Sequence, residues 1–339
     1  MLNTLTHTDL RAKTFSDCSG CSLCLLVCPV WRRTRDVSLT PHGRAKAMQN
    51  GAAPAEMAAA IDSCTLCMAC EPVCPEDIGL VEMILSLRRA GADARVDLPP
   101  LAPATLPRAM PSATQTTLLL PDAALAADGV QLARVATLLG ASAMVAADNG
   151  ADIALLLASG RAVTDARRDT LLAQARQFKK IIVGDGLLLR QLRRWLPNAN
   201  LQGLGEALSA RPAVREALCA SDLYVIDARA YHTDYQRLVK YYDHLRADVG
   251  CAMNLDLQRI AIPATARNLA QRLGVEAPVD DAEQGRWLLQ GRKVSRVVAE
   301  SLEDAQALAK ITDLPVVYLA ALARGDASAV ANDLPNEAG

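Results

Sequence analysis

Eight of the ten cysteines of this 339-residue chain fall between Cys18 and Cys74, in two copies of one pattern. The first copy is Cys18-x2-Cys21-x2-Cys24-x3-Cys28-Pro29, and the second is Cys64-x2-Cys67-x2-Cys70-x3-Cys74-Pro75. Each iron of a [4Fe–4S] cubane needs one outward thiolate. Two-residue gaps let a tight loop serve three corners while its backbone N–H groups point at the sulfides. The fourth cysteine, just before proline, ligates the other cluster in runs of this type. The spacing therefore predicts crossed ligation. One cluster takes Cys18, Cys21, Cys24 and Cys74, and the other takes Cys64, Cys67, Cys70 and Cys28. After each third cysteine the chain is expected to leave as a short helix. Proline follows where it must turn and needs no donor. Crossing ties both motifs into one compact unit and keeps the clusters close, as electron hopping requires. Structural zinc fits this pattern poorly, because its sites pair two short two-cysteine turns at a distance. The expected cofactors are two [4Fe–4S] clusters.

The remaining sequence narrows the function class. Lys plus Arg total 36 and Asp plus Glu 37, a net charge of −1 that argues against a nucleic-acid binder. The first residues, MLNTLTHTDLRAK, have no apolar core like that of a secretory signal. Apolar runs such as Leu314 to Ala323 are too short to span a bilayer. These features predict a cytoplasmic protein that meets a membrane only peripherally, through partners. In that setting cysteines serve as ligands or free thiols more often than as disulfides.

Three segments and a tail are expected. Residues 1–95 hold the cysteine motifs and short helices. Residues 96–112, with five prolines, form a semi-rigid linker. Residues 113–330 alternate short apolar runs with amphipathic helical patterns, and 331–339 are a tail. Strands are expected near Thr116–Leu120, Ala143–Ala146, Ile153–Leu157, Lys180–Val183, Leu223–Ile226, Arg259–Ile262, Arg296–Val298 and Pro315–Tyr318. Helical patterns between them cover Val130–Leu139, Ala166–Phe178, Leu187–Leu196, Tyr235–Leu245, Ala264–Leu273 and Leu302–Ile311. The fold class is thus α+β overall: a mostly helical ferredoxin-type unit, then an α/β domain with a mainly parallel sheet. Leu118–Ala123 is echoed by Tyr224–Arg229, and Ile181–Gly184 by Arg296–Ala299, each followed by a helix. This reads either as a weak internal duplication or as the ordinary repetition of strand–helix units.

The stretch from Cys18 to Trp31, the Thr40-Pro41-His42-Gly43-Arg44 that follows, and Cys64 to Pro75 resemble a known family. They are similar to the iron–sulfur subunits of glycolate and lactate oxidation complexes, anaerobic glycerol-3-phosphate dehydrogenase and heterodisulfide reductase. The resemblance implies an electron-transfer subunit of a hetero-oligomer. A flavoprotein dehydrogenase would oxidise a 2-hydroxy acid, a glycerol phosphate or a methylated amine. A quinone, an electron-transfer flavoprotein or another redox subunit would accept the electrons. It also implies that residues 113–330 are a duplicated cysteine-rich domain with Cys-Cys-Gly elements. No Cys-Cys-Gly occurs here, so the domain is read as degenerate, a docking scaffold rather than a disulfide-reducing centre. A catalytic subunit of the heterodisulfide reductase type and a redox-responsive regulatory protein are the alternatives.

Several residues admit a plainer reading. Cys219 is expected as a small buried apolar residue on a helix, and Cys251 is left unassigned. Gly43 is expected to supply backbone freedom, and Arg44 either a hydrogen bond near a cluster sulfide or simple turn chemistry. Thr233 is a candidate helix cap, and His232 a surface-loop histidine. Gly184-Asp185-Gly186 lacks the rest of any phosphate-binding fingerprint. Residues 29–49 carry Arg32, Arg33, Arg35, Arg44 and Lys46 against Asp36, while 71–82 carry Glu71, Glu76, Asp77 and Glu82 with no base. This asymmetry either orients docking partners or is a pair of solvated surfaces of opposite sign.

Overall fold

The computed structural model describes residues 13–91, 115–257, 259–276 and 281–324. The proline-rich segment 96–112 and the tail 331–339 lie outside them.

The N-terminal unit is helical. Helices α1 (Leu23–Leu26), α2 (Pro29–Thr34), α3 (Pro41–Gln49), α4 (Ala58–Asp62) and α5 (Leu80–Ala90) surround the cysteine loops. Proline opens both α2 and α3, where its missing N–H costs nothing, and Thr40 caps α3 by accepting from the Gly43 amide at 3.2 Å. Gly43 sits inside α3, and a Cβ there would lie 2.1 Å from the Val37 carbonyl. Its role is close approach, not the backbone freedom expected of it. The apolar face of α5, with Leu80, Met83, Ile84 and Leu87, packs on Met57, Ile61, Leu66 and Met68. The expected helix after the third cysteine forms only in the first motif, where α1 carries Cys24. After Cys70 the chain makes successive turns instead, Glu71 to Met68 and Cys74 to Glu71.

The rest is α/β. Its strands are β1 (Thr117–Leu120), β2 (Ala143–Val145), β3 (Lys180–Val183), β4 (Asn200–Gly203), β5 (Asp222–Val225), β6 (Ala252–Met253), β7 (Leu255–Asp256), β8 (Ile260–Ala261), β9 (Arg296–Ala299) and β10 (Val316–Tyr318). They form two four-stranded parallel sheets, β2-β1-β3-β4 and β6-β5-β9-β10, and a small antiparallel β7-β8 pair. Taken in chain order, the strands of the two large sheets follow one and the same arrangement. The register repeats as well: Thr117 aligns with Lys180, and Asp222 with Arg296. The connecting helices of the first half are α6 (Ala123–Ala127), α7 (Gly129–Leu139), α8 (Ala151–Ser159), α9 (Asp165–Ala175), α10 (Gly186–Trp195), α11 (Leu204–Ser209) and α12 (Pro212–Arg215). Those of the second are α13 (Ala228–Thr233), α14 (Tyr235–Val249), α15 (Leu269–Arg272), α16 (Asp281–Leu289) and α17 (Leu302–Ala309). Asp122, Asp185, Asp227 and Ser301 cap the helices that follow β1, β3, β5 and β9, so the repeated arrangement includes the caps.

Burial explains the sheet. In β1, Leu118 and Leu120 enter one core with Ile153, Leu171 and Ile181, and Leu119 enters the other with Ile182, Leu208 and Tyr224. Both faces are covered, so the strand reads as continuous apolar sequence, as buried parallel strands do.

Three expectations need correction. Ile153–Leu157 is not a strand but the middle of α8. Asp148 and Asn149 accept from the Gly150 and Ala151 amides at 3.1 Å, and left-handed Gly160 ends the helix. A short apolar run does not declare its period, and these flanking turn residues decide it. Ala264–Leu273 is helical only over α15, which Asn268 caps. The edge strand β4 was not expected, because Asn200-Leu201-Gln202-Gly203 has little strand character until β3 offers it a ladder. Among the described residues no helix is long and apolar enough to cross a membrane.

Glu300 lies beneath the second sheet, 3% exposed. It accepts from the Tyr224 and Tyr242 hydroxyls at 2.6 Å and from the Asp227 amide at 2.9 Å. Burial pushes its carboxyl up to about 7. The unfolded chain ionises this group near the usual carboxylate value while the folded chain keeps it protonated, so stability falls as pH rises from the unfolded value to the folded one. We expect a loss of about 3 kcal/mol from this group. Urea unfolding between about pH 4 and about pH 7 should show it, with the fall reduced in Glu300→Gln and the curve level above that range. Stability that is flat or rising over that range would contradict it.

Candidate metal centre

The eight cysteines ring two cavities. One is lined by Cys18, Cys21, Cys24 and Cys74, the other by Cys28, Cys64, Cys67 and Cys70. Each cavity draws three cysteines from one motif and the fourth from the other. Among the described residues no three His, Cys, Asp or Glu side chains gather closely enough to hold a single metal ion. A cubane needs one thiolate per iron, and each cavity is lined by four cysteines.

The two loops share a backbone design. Gly20 and Ser22 have φ of 85° and 64°, and their counterparts Leu66 and Met68 have 55° and 63°. Left-handed residues at the third and fifth positions of the motif turn successive amides inward, the arrangement that makes an anion-binding concavity. Gly20 adopts this conformation freely. Leu66 and Met68 adopt it at a cost of about 1 kcal/mol or more each, and both are anchored by near-complete burial. Sequence reasoning missed these two residues. Their alignment with Gly20 and Ser22 was the available signal.

Burial pushes the Cys24 thiol up to about 12 and the Cys28 thiol up to about 11, with neighbouring cysteines adding to both. Cys67 and Cys70 are raised for the same leading reason. These are not activated nucleophiles. Arg44 stands in the wall of the Cys28 cavity, 3% exposed. One of its nitrogens donates to the Leu39 and Ala60 carbonyls at 3.0 and 2.7 Å, while Nε is buried with no partner. An orphaned donor beside four thiols fits an anionic cluster, whose sulfide would accept from it. The donor set and its surroundings thus suit two cubanes.

The α/β region clamps the second loop. Arg229 donates to the Thr65 carbonyl at 2.9 Å, and His232 Nδ1 lies 2.8 Å from the Cys67 carbonyl. A carbonyl only accepts, so Nδ1 carries the proton. His232 is therefore not the expected surface-loop residue. It lies in α13, 6% exposed, and burial pushes its pKa down to about 4. Thr233 does not cap the next helix. Its hydroxyl donates back to the Arg229 carbonyl at 2.9 Å and to Gly186 at 3.0 Å. Cys219 lies exposed beyond the end of α12, 3.3 Å from Ser221 Oγ, which corrects its expected burial, and Cys251 is a buried core residue. Neither approaches the cysteine cavities.

Two of the acids in the second half of the motif region are paired with α10. Arg190 of α10 pairs with Glu71 at 2.7 Å, and Arg194 with Glu82 at 2.6 Å. A cavity of about 860 Å³ opens where the carboxyl ends of both large sheets meet, and Thr65 and Cys67 reach its wall. Asp122 and Asp227 also line it, and burial pushes both up to about 6.

Comparison with known proteins agrees with this geometry. Residues 14–78 match the 4Fe-4S dicluster domain family. No curated protein and no solved structure matches the chain. The N-terminal unit is a dicluster domain that carries two [4Fe–4S] clusters and transfers electrons through them. The α/β region that follows is built on parallel sheets and contains no Cys-Cys-Gly.

Replacing Arg229 by Met and His232 by Leu removes a charge and two donors beside the Cys64–Cys70 loop. The expected result is a lower reduction potential for that cluster alone. An EPR-monitored redox titration reads both clusters, and equal shifts in the two would contradict the clamp.

Proposed function

We propose that this chain is the iron–sulfur relay of a flavoprotein dehydrogenase complex. The dicluster domain spans its first unit, residues 1–95, and the duplicated α/β domain of residues 113–330 is its docking scaffold. The ligation is crossed, with Cys18, Cys21, Cys24 and Cys74 on one cluster and Cys64, Cys67, Cys70 and Cys28 on the other. The observation that carries this is the mixed lining of the two cavities, three cysteines from one motif and one from the other. When bound, each cubane takes up and releases one electron, which suits a partner flavin that gathers two.

The chain's own residues serve that role. The left-handed loops present amides to the clusters, and Arg44 supplies a buried donor. The resemblance carried by Cys18–Trp31 and Cys64–Pro75 points to 2-hydroxy acids, glycerol phosphate or methylated amines as substrates of the flavoprotein. A quinone or an electron-transfer flavoprotein is the onward acceptor.

The test is anaerobic purification with whatever flavoprotein accompanies the chain. About eight irons per chain, matching labile sulfide and cluster bleaching when the flavoprotein receives its substrate are expected. Clusters that stay oxidised while the flavin is reduced would defeat the proposal.

A further inference from the structure

The charge asymmetry of the motif region is resolved unevenly. Two of its four acids, Glu71 and Glu82, are paired with α10, and its bases are only partly engaged. Arg32 pairs with Asp256 at 3.2 Å and lies 3.5 Å over the Trp287 ring, and Arg33 donates to the Ala266 carbonyl at 3.3 Å. Arg35 is exposed, stands 5.8 Å from the centre of the Trp31 ring, and has no ion pair among the described residues; Arg286, also exposed, has none either.

These side chains border one groove of about 730 Å³ between α2 and α16. Trp31 and Trp287, two of the chain's three tryptophans, and Leu26 supply apolar surface. Four guanidinium groups line the groove against a single carboxylate, Glu283. Leu26 is 52% exposed, and Leu23, on the same helix α1, and Val37, shortly after α2, are 41% and 43% exposed.

The groove also lies next to a cysteine ligand. Cys28 is the N-cap of α2, and Trp31 lies three residues further along that helix. The Trp31 ring therefore connects the groove surface to Cys28 within three residues. The opposite side of the same cluster site is closed by Arg229 and His232.

We propose that this groove is an electron port, the docking site for an acidic, apolar-tipped surface of a redox partner protein. Apolar contact at the centre excludes water, and the guanidinium rim steers the partner and fixes its register. Small, weak interfaces of this kind suit electron-transfer encounters, which must release quickly. The proposal rests on the relay reading above and adds where electrons cross the surface.

The test uses the full chain with both clusters, reduced by dithionite and mixed in stopped flow with an acidic flavodoxin as the probe acceptor. The rate constant should fall steeply with ionic strength. Arg35→Glu combined with Arg286→Glu should lower it about tenfold at low salt, and the difference should vanish at high salt. Arg35→Lys with Arg286→Lys should keep the rate. So should Lys179→Glu, at the start of β3 on the opposite end of its sheet. A flat salt profile of the unaltered chain, an unchanged rate in the double Glu variant, or an equal loss in Lys179→Glu would overturn the port. If iron content and EPR signals are intact in that outcome, the relay reading survives. A chain without clusters defeats the relay itself.

Discussion

Cys28→Ser is expected to abolish or strongly perturb the EPR signal of the cluster held by Cys64, Cys67 and Cys70, and to leave the other intact. Cys74→Ser should do the reverse. Cys28 lines the cavity of the second motif and Cys74 that of the first, although each belongs by sequence to the other motif. A serine alkoxide is a harder ligand than a thiolate, so the iron it faces is lost or altered, and an incomplete cubane degrades. Iron should drop from about eight to roughly four per chain if the damaged cluster is lost outright. The two variants form a reciprocal pair, which guards against misfolding as an explanation. If Cys28→Ser damaged only the cluster of Cys18, Cys21 and Cys24, the ligation would be local and the crossed assignment wrong.

The second large effect concerns Arg88, near the end of α5 and 3% exposed. Its guanidinium donates to the Cys64 carbonyl at 2.7 Å, to the Ile61 carbonyl at 3.3 Å, and to the Ala158 carbonyl at the end of α8. One side chain thus ties the second cysteine loop to α4 and to the α/β region. Arg88→Met keeps most of the apolar stem and leaves three carbonyls short of a donor. We expect a loss of about 3 kcal/mol in unfolding free energy, since each buried unsatisfied group costs about 1–3 kcal/mol and part is recovered by no longer burying a charge. Faster release of iron from the second cluster should accompany it. Arg88→Lys, with one point donor in place of a fork, should fall between the two. A melting temperature within a degree of the parent would show that the carbonyls find other partners.

The site was more legible in the sequence than the fold. Cysteine spacing alone named the cofactor and singled out eight candidate ligands with an expected exchange of the fourth, because cubane geometry imposes its own short-range rule on the chain. The strands β1, β3, β5, β9 and β10 were legible for a related reason: buried parallel strands are continuous apolar runs. Ile153–Leu157 has the same appearance and folds as a helix, because Asp148, Asn149 and Gly160 set its ends. His232 looked like a loop residue because its partner, the Cys67 carbonyl, lies 165 residues away.

The sequence by itself determined the dicluster chemistry, since ligand type and spacing are local and a metal cluster tolerates few alternatives. It also determined that an α/β region follows, since apolar runs and amphipathic stretches are local patterns. Only the tertiary structure decided where the charges went. Glu71 and Glu82 paired with arginines of α10, while the arginines following Cys28 gathered with α16 around an open groove. Side chains far apart along the chain settle such pairings by packing, and no short-range pattern records them.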